Sequence, residues 1–144
     1  MRVSDVLSSK GSGSIYTVRP EATLAELLDT LAEHNVGALV VSNDGSTMLG
    51  IVSERDVVRK LRDFDDQSAI TVEQIMTSDV RVCAPEDSFG SLMSVMTEYR
   101  VRHVPVLDGE TLVGVLSIGD AVKHRMDQLE FERDQLNNYV SGGG

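Results

Sequence analysis

Apolar residues recur at every third or fourth position in two stretches of the chain, 24–31 and 89–96. This spacing is typical of the buried face of an amphipathic helix. Thr23 and Ser88 stand immediately before the two stretches, where a hydroxyl side chain can cap a helix. The pattern therefore predicts two similar helices, one in each half of the chain.

Runs rich in valine and leucine lie on both sides of these helices and predict strands. After each helix, two such runs flank a turn sequence, Asn-Asp-Gly in the first half and Asp-Gly in the second, which predicts a hairpin. A second helix is expected to begin at Ser53 and at Ser117, because Ser-x-x-Asp is a pattern of helix N-termini. The predicted strands are 15–18, 38–41, 48–52, 80–83, 103–107 and 112–116.

The two halves of the chain are copies of one another. Segment 20–24 aligns with 85–89, and 50–58 aligns with 114–122 once a residue is deleted from the turn. The chain is therefore expected to be a β-α-β-β-α unit written twice, an α/β (α+β) fold with pseudo-twofold symmetry. A unit of about 60 residues buries too little apolar surface to be stable alone, so we expect a shared core with a cleft between the halves.

These alignments divide the chain into repeat 1 at 1–68, repeat 2 at 69–125, and a C-terminal helical extension with a tail at 126–144. Segment 8–14 is rich in serine and glycine and is expected to be a flexible loop, and 141–144 is expected to be disordered. The extension carries an apolar stripe at heptad spacing, which we expect to dock on the body of the protein or on a second copy, with an independent coiled coil as the alternative. The stripe consists of Val122, Met126, Leu129, Leu136 and Val140, and Arg133 fills the gap in the spacing.

The composition is that of an ordinary globular protein, with 41% hydrophobic and 25% charged residues among 144. A net charge of −10 argues against nucleic acid as a partner, because a phosphate backbone requires clustered cations. No apolar run reaches the roughly 18 residues of a membrane span, and the N-terminus lacks the pattern of a secretory signal. The single cysteine, Cys83, can form no internal disulfide, so we expect a buried thiol in a cytoplasmic protein.

Positive charges nevertheless cluster at three places, which favours a small anionic ligand. Cations at solvated helix ends produce the same clusters, so this simpler interpretation also stands. The clusters are Arg55, Arg59, Lys60 and Arg62; Arg100, Arg102 and His103; and Lys123, His124 and Arg125.

The paired motifs resemble the tandem cystathionine-β-synthase (CBS) domain pair, also known as the Bateman module. The resemblance covers residues 1–125 and rests on leading segments at 3–7 and 72–76, on Val-Arg-His-Val-Pro-Val at 101–106, and on Gly-(apolar)₂-Ser-x-x-Asp at the end of both copies. It implies a small free-standing regulatory module that binds an adenosine-containing ligand between its repeats. AMP is the ligand expected first, followed by ADP, ATP, NAD and S-adenosylmethionine.

In this family, the Ser and Asp of the closing motif bind the ribose and phosphate of the ligand. Carried over by position, the resemblance assigns these contacts to Ser53 and Asp56 in one copy and to Ser117 and Asp120 in the other. A carboxylate can accept hydrogen bonds from both hydroxyls of a diol, and a helix N-terminus favours a nearby phosphate. The same residue types also serve as plain helix caps, and one residue can fill both roles.

Further ligand contacts are expected where the two copies differ. Arg102 and His103 stand where the resemblance implies a basic pair against the phosphate, whereas the first copy has Gly37 and Ala38. Arg55 is a second candidate phosphate ligand, with a plain surface charge as its alternative role. His103 is alternatively a packed and mostly neutral side chain. The sequence therefore predicts two non-equivalent sites, of which the one with Arg102 suits the larger anionic charge.

The motifs of known catalytic and metal sites are lacking from the sequence. The two motif aspartates have no accompanying nucleophile or metal ligands, so we expect a protein that is not an enzyme. The alternative function is that of a dimeric interaction or scaffold protein whose nucleotide clefts are vestigial. Under either hypothesis we expect a homodimer, an unidentified protein partner, and neither nucleic acid nor a membrane as a partner.

Overall fold

The computed structural model describes residues 1–10 and 15–142. Its helices and strands follow the order expected from the repeat. They are α1 (Val3–Ser9), β1 (Thr17–Val18), α2 (Leu24–His34), β2 (Ala38–Val41), β3 (Gly50–Ser53), α3 (Glu54–Lys60), α4 (Val72–Ile75), α5 (Phe89–Glu98), β4 (His103–Asp108), β5 (Thr111–Ser117) and α6 (Ile118–Gly142). Single 3₁₀ turns at Leu61–Asp63 and Gln67–Ala69 connect α3 to α4.

The first half contains a three-stranded sheet in the order β1-β2-β3. Strand β1 is parallel to β2, and β2 is antiparallel to β3. The predicted turn between β2 and β3 is organised by the Asp44 carboxylate, which accepts hydrogen bonds from the backbone N–H groups of Ser46 and Thr47 at 2.9 and 2.7 Å. Gly45 adopts a φ of +82°, which glycine reaches without strain.

The second half contains the hairpin of β4 and β5, paired antiparallel from His103–Ser117 to Asp108–Thr111. The predicted strand at 80–83 is reduced to a single parallel bridge between Cys83 and Val106. Val80 and Arg81, which precede this bridge, are not part of a strand and line a cleft. Strand β1 is also shorter than predicted, and Ile15 and Tyr16, which precede it, line a second cleft.

The predicted helix caps are confirmed. Thr23, Ser53 and Ser88 are the N-cap residues of α2, α3 and α5, and each hydroxyl accepts a backbone N–H of the first turn. In α3 the bond is reciprocal, because the Ser53 N–H also donates to the Asp56 carboxylate at 2.9 Å. The prediction that Ser-x-x-Asp at 53–56 marks the N-terminus of a helix is thus confirmed.

The halves exchange their leading segments. Val3 and Val6 of α1 are buried in the core of the second half, together with residues of α5, β4 and β5. Ile70, Val72 and Ile75, which precede or form α4, are buried in the core of the first half. Each core is therefore completed by residues that precede the other repeat. The division at 1–68 and 69–125 describes the sequence repeat and stays a prediction.

Two expectations about flexible segments need correction. Ser8 and Ser9 belong to α1, where their hydroxyls donate to helical carbonyl groups, so the predicted loop does not begin at Ser8. Residues 11–14 lie outside the described residues. Ser141 and Gly142 belong to α6, whereas residues 143 and 144 also lie outside the described part.

The predicted C-terminal helix is continuous with the second helix of repeat 2, and together they form α6. Among its 25 residues, Ala121 is buried in the core, whereas every residue from 129 to 142 is exposed. The apolar stripe accordingly does not dock on the body of the protein, which was one of its two expected positions. Leu129 and Leu136 expose 48% and 63% of their surface.

The fold predicts unequal consequences for the two motif glycines. A Cβ at Gly50 would lie 2.6 Å from the backbone oxygen of Thr77, whereas at Gly114 it would lie 2.6 Å from the end of the Leu7 side chain, which can move. We expect Gly50→Ala to lower the free energy of unfolding by about 1–3 kcal/mol, as overpacking does, and Gly114→Ala to lower it less. Urea denaturation of both variants measures this difference.

Gly90→Ala in α5 is the matched control, because a Cβ there would lie 3.9 Å from its nearest neighbour, the Ser88 hydroxyl. It should leave the unfolding free energy unchanged or slightly raised, since alanine favours helix more than glycine does. Equal stability of the Gly50 and Gly90 variants would contradict the proposed backbone contact.

Candidate functional site: two clefts between the repeats

Two clefts open where the halves of the molecule meet. The first has a volume of about 540 Å³ and the second of about 400 Å³. Both are bounded by β2 of one half and by β4 and β5 of the other, so neither cleft belongs to a single repeat. Each volume lies in the range usual for small-molecule sites.

The first cleft is rich in arginine. Its lining includes five exposed arginines and three acidic residues, so positive charge prevails locally in an acidic protein. The arginines are Arg55, Arg59, Arg81, Arg100 and Arg102, and the acidic residues are Glu54, Asp56 and Asp79. Arginine binds phosphate through several N–H donors, so this composition suits a phosphorylated ligand.

Asp56 lies in the first cleft with only 15% of its side chain exposed. Its Oδ2 accepts the Ser53 N–H and hydroxyl, while its Oδ1 accepts the Thr77 hydroxyl at 3.1 Å. Lys60 approaches the same Oδ1 at 3.9 Å and donates to the Ile75 carbonyl at 2.9 Å. These contacts hold the carboxylate in one orientation, and its oxygens retain lone pairs for a further donor.

Arg100 enters the first cleft from a backbone conformation that arginine rarely adopts. Its φ is +53°, in the left-handed region. The equivalent residue of repeat 1, Asn35, has a φ of +52°, ends α2 and lines the second cleft. Asparagine tolerates this conformation better than arginine does. The strain at Arg100 therefore coincides with a cationic side chain at the cleft wall.

Each cleft has a stacked pair of planar side chains at equivalent positions. In the second cleft, Tyr16 stacks on His34 with ring centroids 3.7 Å apart. In the first, the Arg81 guanidinium lies 4.0 Å from the centroid of the Tyr99 ring. The repeat aligns Tyr16 with Arg81 and His34 with Tyr99. The two pairs therefore occupy equivalent positions, and the pair in the first cleft contains an arginine, which interacts with the ring as a cation.

The second cleft has a different charge arrangement. Lys10 and His103 line it. The Lys10 ammonium group forms an ion pair with Asp120, 3.0 Å from its Oδ2. The same oxygen accepts the Ser117 N–H at 2.8 Å. Partial burial tends to raise the pKa of Asp120, but the Ser117 bond and the Lys10 ammonium outweigh it and hold that pKa below its ordinary value.

His103 forms part of the wall between the two clefts. Gly37, Ala38, His103 and Ser117 line both cavities. A Cβ on Gly37 would lie 3.5 Å from His103 Cε1, so a larger side chain would crowd the imidazole. Burial is the main cause that lowers the pKa of His103, and the Lys10 and Arg102 charges add to it against the opposing effect of Asp120 and Glu54.

The structure brings most of the predicted site residues together. The residues of the prediction that line the first cleft are Gly37, Ala38, Ser53, Arg55, Asp56, Arg102, His103 and Ser117. Gly37 and Ala38 line the first cleft together with Arg102, and they also line the second cleft. Asp120 is absent from the lining of both clefts, and its contact with the second one runs through the Lys10 ammonium group, 3.0 Å from Asp120 Oδ2.

Sequence reasoning missed several residues that line the clefts, including Arg81, Tyr16, Thr77 and Lys10. The alignment of the repeats offered a signal for the first two, because Arg81 and Tyr16 occupy equivalent positions at the start of a predicted strand. No local motif marks Thr77 or Lys10. They reach the clefts because the leading segments cross between the halves.

The CBS domain family model matches residues 3–63 and 72–127, so the chain belongs to the CBS domain family. It is 36% identical to the CBS domain-containing protein CBSX3, mitochondrial, of Arabidopsis thaliana, over 98% of this chain and 72% of that protein. It is 37% identical to a CBS-domain-containing protein of known crystal structure from Agrobacterium tumefaciens, with a TM-score of 0.78 over 87% of this chain and 99% of that one. The fold expected from the resemblance is confirmed.

Two more distant structures share the fold and contain ligands. CBSX2 in complex with AMP is 23% identical, with a TM-score of 0.69 over 78% of this chain and 88% of that one. A CBS domain pair in complex with 5′-methylthioadenosine and S-adenosyl-L-methionine is also 23% identical, with a TM-score of 0.76 over 89% and 98% of the two chains. CBS domain pairs thus include proteins that bind adenosine-containing molecules.

Two further features of the described residues bear on the class of protein. None of the helices within 1–10 and 15–142 combines the length and hydropathy that a membrane-spanning helix requires. Over the same residues, no three His, Cys, Asp or Glu side chains are grouped closely enough to hold a metal ion.

The environment of His103 predicts a measurable titration. Because its pKa is lowered on folding, the folded protein favours the neutral imidazole. The contribution of His103 to the free energy of unfolding should therefore be fully present above the ordinary pKa of about 6.5. It should be lost as the pH falls through the lowered pKa. An NMR titration of the His103 Cε1 proton, assigned with His103→Gln, should give a midpoint below 6.5.

His103→Gln also supplies the control for stability, because it should lose this part of the pH dependence. A midpoint at or above 6.5 would contradict the burial of His103 between the clefts.

Proposed function

We propose that this protein is a non-catalytic regulatory module that binds adenosine-containing nucleotides in the two clefts between its CBS repeats. The observation that carries the proposal is the position of Asp56. Its carboxylate is mostly buried, rigidly held and adjacent to a cavity of about 540 Å³ that is lined by arginines. A ribose diol and a phosphate are the two groups that this combination recognises well.

The chemistry assigns a role to each side of the first cleft. Asp56 accepts hydrogen bonds from the ribose hydroxyls, and Ser53 at the start of α3 contacts the ribose or phosphate. Arg55 and Arg102 bind phosphate oxygens, and His103 donates one hydrogen bond as a neutral imidazole. In the second cleft, Ser117 and Asp120 take the corresponding roles.

AMP is the ligand that we place first, and ADP, ATP, NAD and S-adenosylmethionine are the others. AMP and S-adenosylmethionine occur with CBS proteins of the same fold, which supports the adenosine part of the ligand. The surplus of arginines in the first cleft favours phosphorylated ligands there. The second cleft, with one lysine paired to a carboxylate, suits a ligand with fewer phosphate groups than the first cleft does.

We propose that binding changes the relative angle of the two halves, and that a partner protein or a second copy of the chain responds to this change. A ligand shifts such an equilibrium only by its differential affinity for the two states. Since both clefts are built from both halves, a ligand in either cleft contacts the two moving parts directly. We further propose that the protein acts in the cytoplasm.

A second candidate function is that of a dimeric scaffold with vestigial clefts, and the exposed apolar stripe of α6 favours it. The stripe residues Val122, Met126, Leu129, Leu136 and Val140 are all between 46% and 68% exposed. An apolar stripe at heptad spacing on an exposed helix is stabilised by pairing with another helix. We propose a homodimer in which α6 packs against its copy, which is compatible with nucleotide binding.

Binding measurements test the nucleotide function. We expect Asp56→Asn and Asp120→Asn each to weaken one class of site roughly 10- to 100-fold for AMP, because a charged acceptor is lost. Arg102→Ala should weaken AMP more than adenosine. Isothermal titration calorimetry of AMP and adenosine with the three variants gives these ratios.

Asp66→Asn is the matched control, because Asp66 also caps a helical turn but lies outside both clefts. An equal loss of AMP and adenosine affinity in Arg102→Ala would contradict a phosphate role for Arg102. A nucleotide at 100 times its dissociation constant should stabilise the fold by about 2.7 kcal/mol. If none of the candidate nucleotides raises the melting temperature, the scaffold function is the correct one.

Substitutions in the apolar stripe of α6 test the proposed dimer. Replacing both Leu129 and Leu136 with Glu should shift the protein from dimer to monomer in sedimentation equilibrium, because buried carboxylates without partners are costly. The control replaces Gln135 and Asn138, which lie off the stripe, with Glu. A wild-type protein that sediments as a monomer would contradict the proposed dimer.

A further inference from the structure

Lys10 is the C-cap residue of α1, and its side chain contacts the second half of the molecule. Its ammonium group donates to the backbone oxygen of Val115 at 2.9 Å and is 3.0 Å from Asp120 Oδ2. Both Lys10 and Val115 line the second cleft. The lysine therefore connects the cleft, which it lines, to the carboxylate that the proposed function assigns to the ribose.

The carboxylate of Asp120 already has two donors on a single oxygen. Oδ2 accepts the Ser117 N–H at 2.8 Å as well as the Lys10 ammonium. The side chain of Asp120 is 23% exposed and that of Lys10 is 41% exposed. Partly exposed ion pairs of this kind are weak enough to be opened by a competing ligand.

The first cleft lacks an equivalent of this arrangement at the same position. Extending the alignment of 3–7 with 72–76 places Lys10 opposite Asp79, which lines the first cleft. Asp56 instead accepts the neutral Thr77 hydroxyl, and its lysine, Lys60, is held 3.9 Å away by the carbonyl groups that follow α4. The two clefts therefore differ in charge at equivalent positions.

A ligand diol that reaches Asp120 must share this carboxylate with Lys10 or displace the ammonium. A neutral nucleoside that displaces it leaves the ammonium group with the Val115 carbonyl as its remaining partner among the described residues. A nucleotide supplies a phosphate that can accept hydrogen bonds from the displaced ammonium group. The ion pair of Lys10 with Asp120 is then replaced by one with the phosphate. The same residue thus opposes one class of ligand and favours the other.

We propose that Lys10 is the specificity-determining residue of the second cleft. By pairing with Asp120, it weakens the binding of neutral nucleosides and favours nucleotides that carry a phosphate. This inference rests on the proposed function, because it takes Asp120 as the ribose acceptor. It goes beyond that function in assigning a role to a residue outside the repeated motif.

The test measures adenosine and AMP at the second cleft alone. In an NMR titration, the backbone amides of Gly114 and Val115 report on the second cleft and that of Thr77 reports on the first. In Lys10→Met, adenosine should bind the second cleft about two- to fivefold more tightly, by the magnitude of a partly exposed ion pair. AMP should bind it about threefold or more weakly, because its phosphate loses a cation.

Two variants complete the experiment. Lys10→Arg keeps the charge and should retain the preference of the wild type for AMP. Lys123→Met removes the same charge from α6 outside both clefts and should leave the ratio of the two affinities unchanged.

A Lys10→Met variant in which both affinities fall together, or in which neither changes, overturns the proposal. The same ratio change in Lys123→Met overturns it too, since the effect is then one of net charge. If neither adenosine nor AMP shifts any amide of the wild type, the proposed function itself fails. If AMP shifts Thr77 alone, the function holds for the first cleft and the role of Lys10 is wrong.

Discussion

The two halves depend on a pair of backbone connections through which each leading segment is bound to the opposite repeat. The Val3 N–H donates to the Asp87 carbonyl at 2.8 Å, and the Val72 N–H donates to the Ala22 carbonyl at 2.9 Å. These bonds are equivalent under the repeat, and each positions apolar side chains in the other half's core. Since a half this small cannot bury enough surface alone, the exchange makes the two halves one folding unit.

The clefts and their asymmetry follow from this exchange. The chain after α4 runs beside β3, where Thr77 and Ile51 exchange backbone hydrogen bonds, and this brings the Thr77 hydroxyl to Asp56. The chain at the end of α1 brings Lys10 to Asp120. The repeated motif is therefore the same in both halves, while the crossing segments supply a hydroxyl to one carboxylate and an ammonium group to the other. Nearly identical motifs consequently lie in different charge environments.

Much of the candidate site could be predicted because the repeat places equivalent residues at equivalent points of the fold. Ser53 and Asp56 belong to a local helix-capping pattern, and their expected ligand role came from the resemblance to the CBS family; the structure places Asp56 beside a cavity. Arg100 was noticed only as part of a positive cluster, because nothing local indicates a left-handed backbone at arginine. Lys10 was missed, since its contact with Asp120 joins residues 110 positions apart.

The sequence by itself determined the helices, the hairpins, their caps and the duplication, because these depend on spacings of a few residues and on hydrogen bonds within one turn. Only the tertiary structure decided which core each leading segment completes. It also decided that residues before Cys83 line a cleft instead of forming a strand, and which lysine contacts each carboxylate. It also left the stripe of α6 exposed, including Leu136 at 63% of its surface. These outcomes depend on contacts between distant parts of the chain, which a local pattern of apolar and polar residues does not specify.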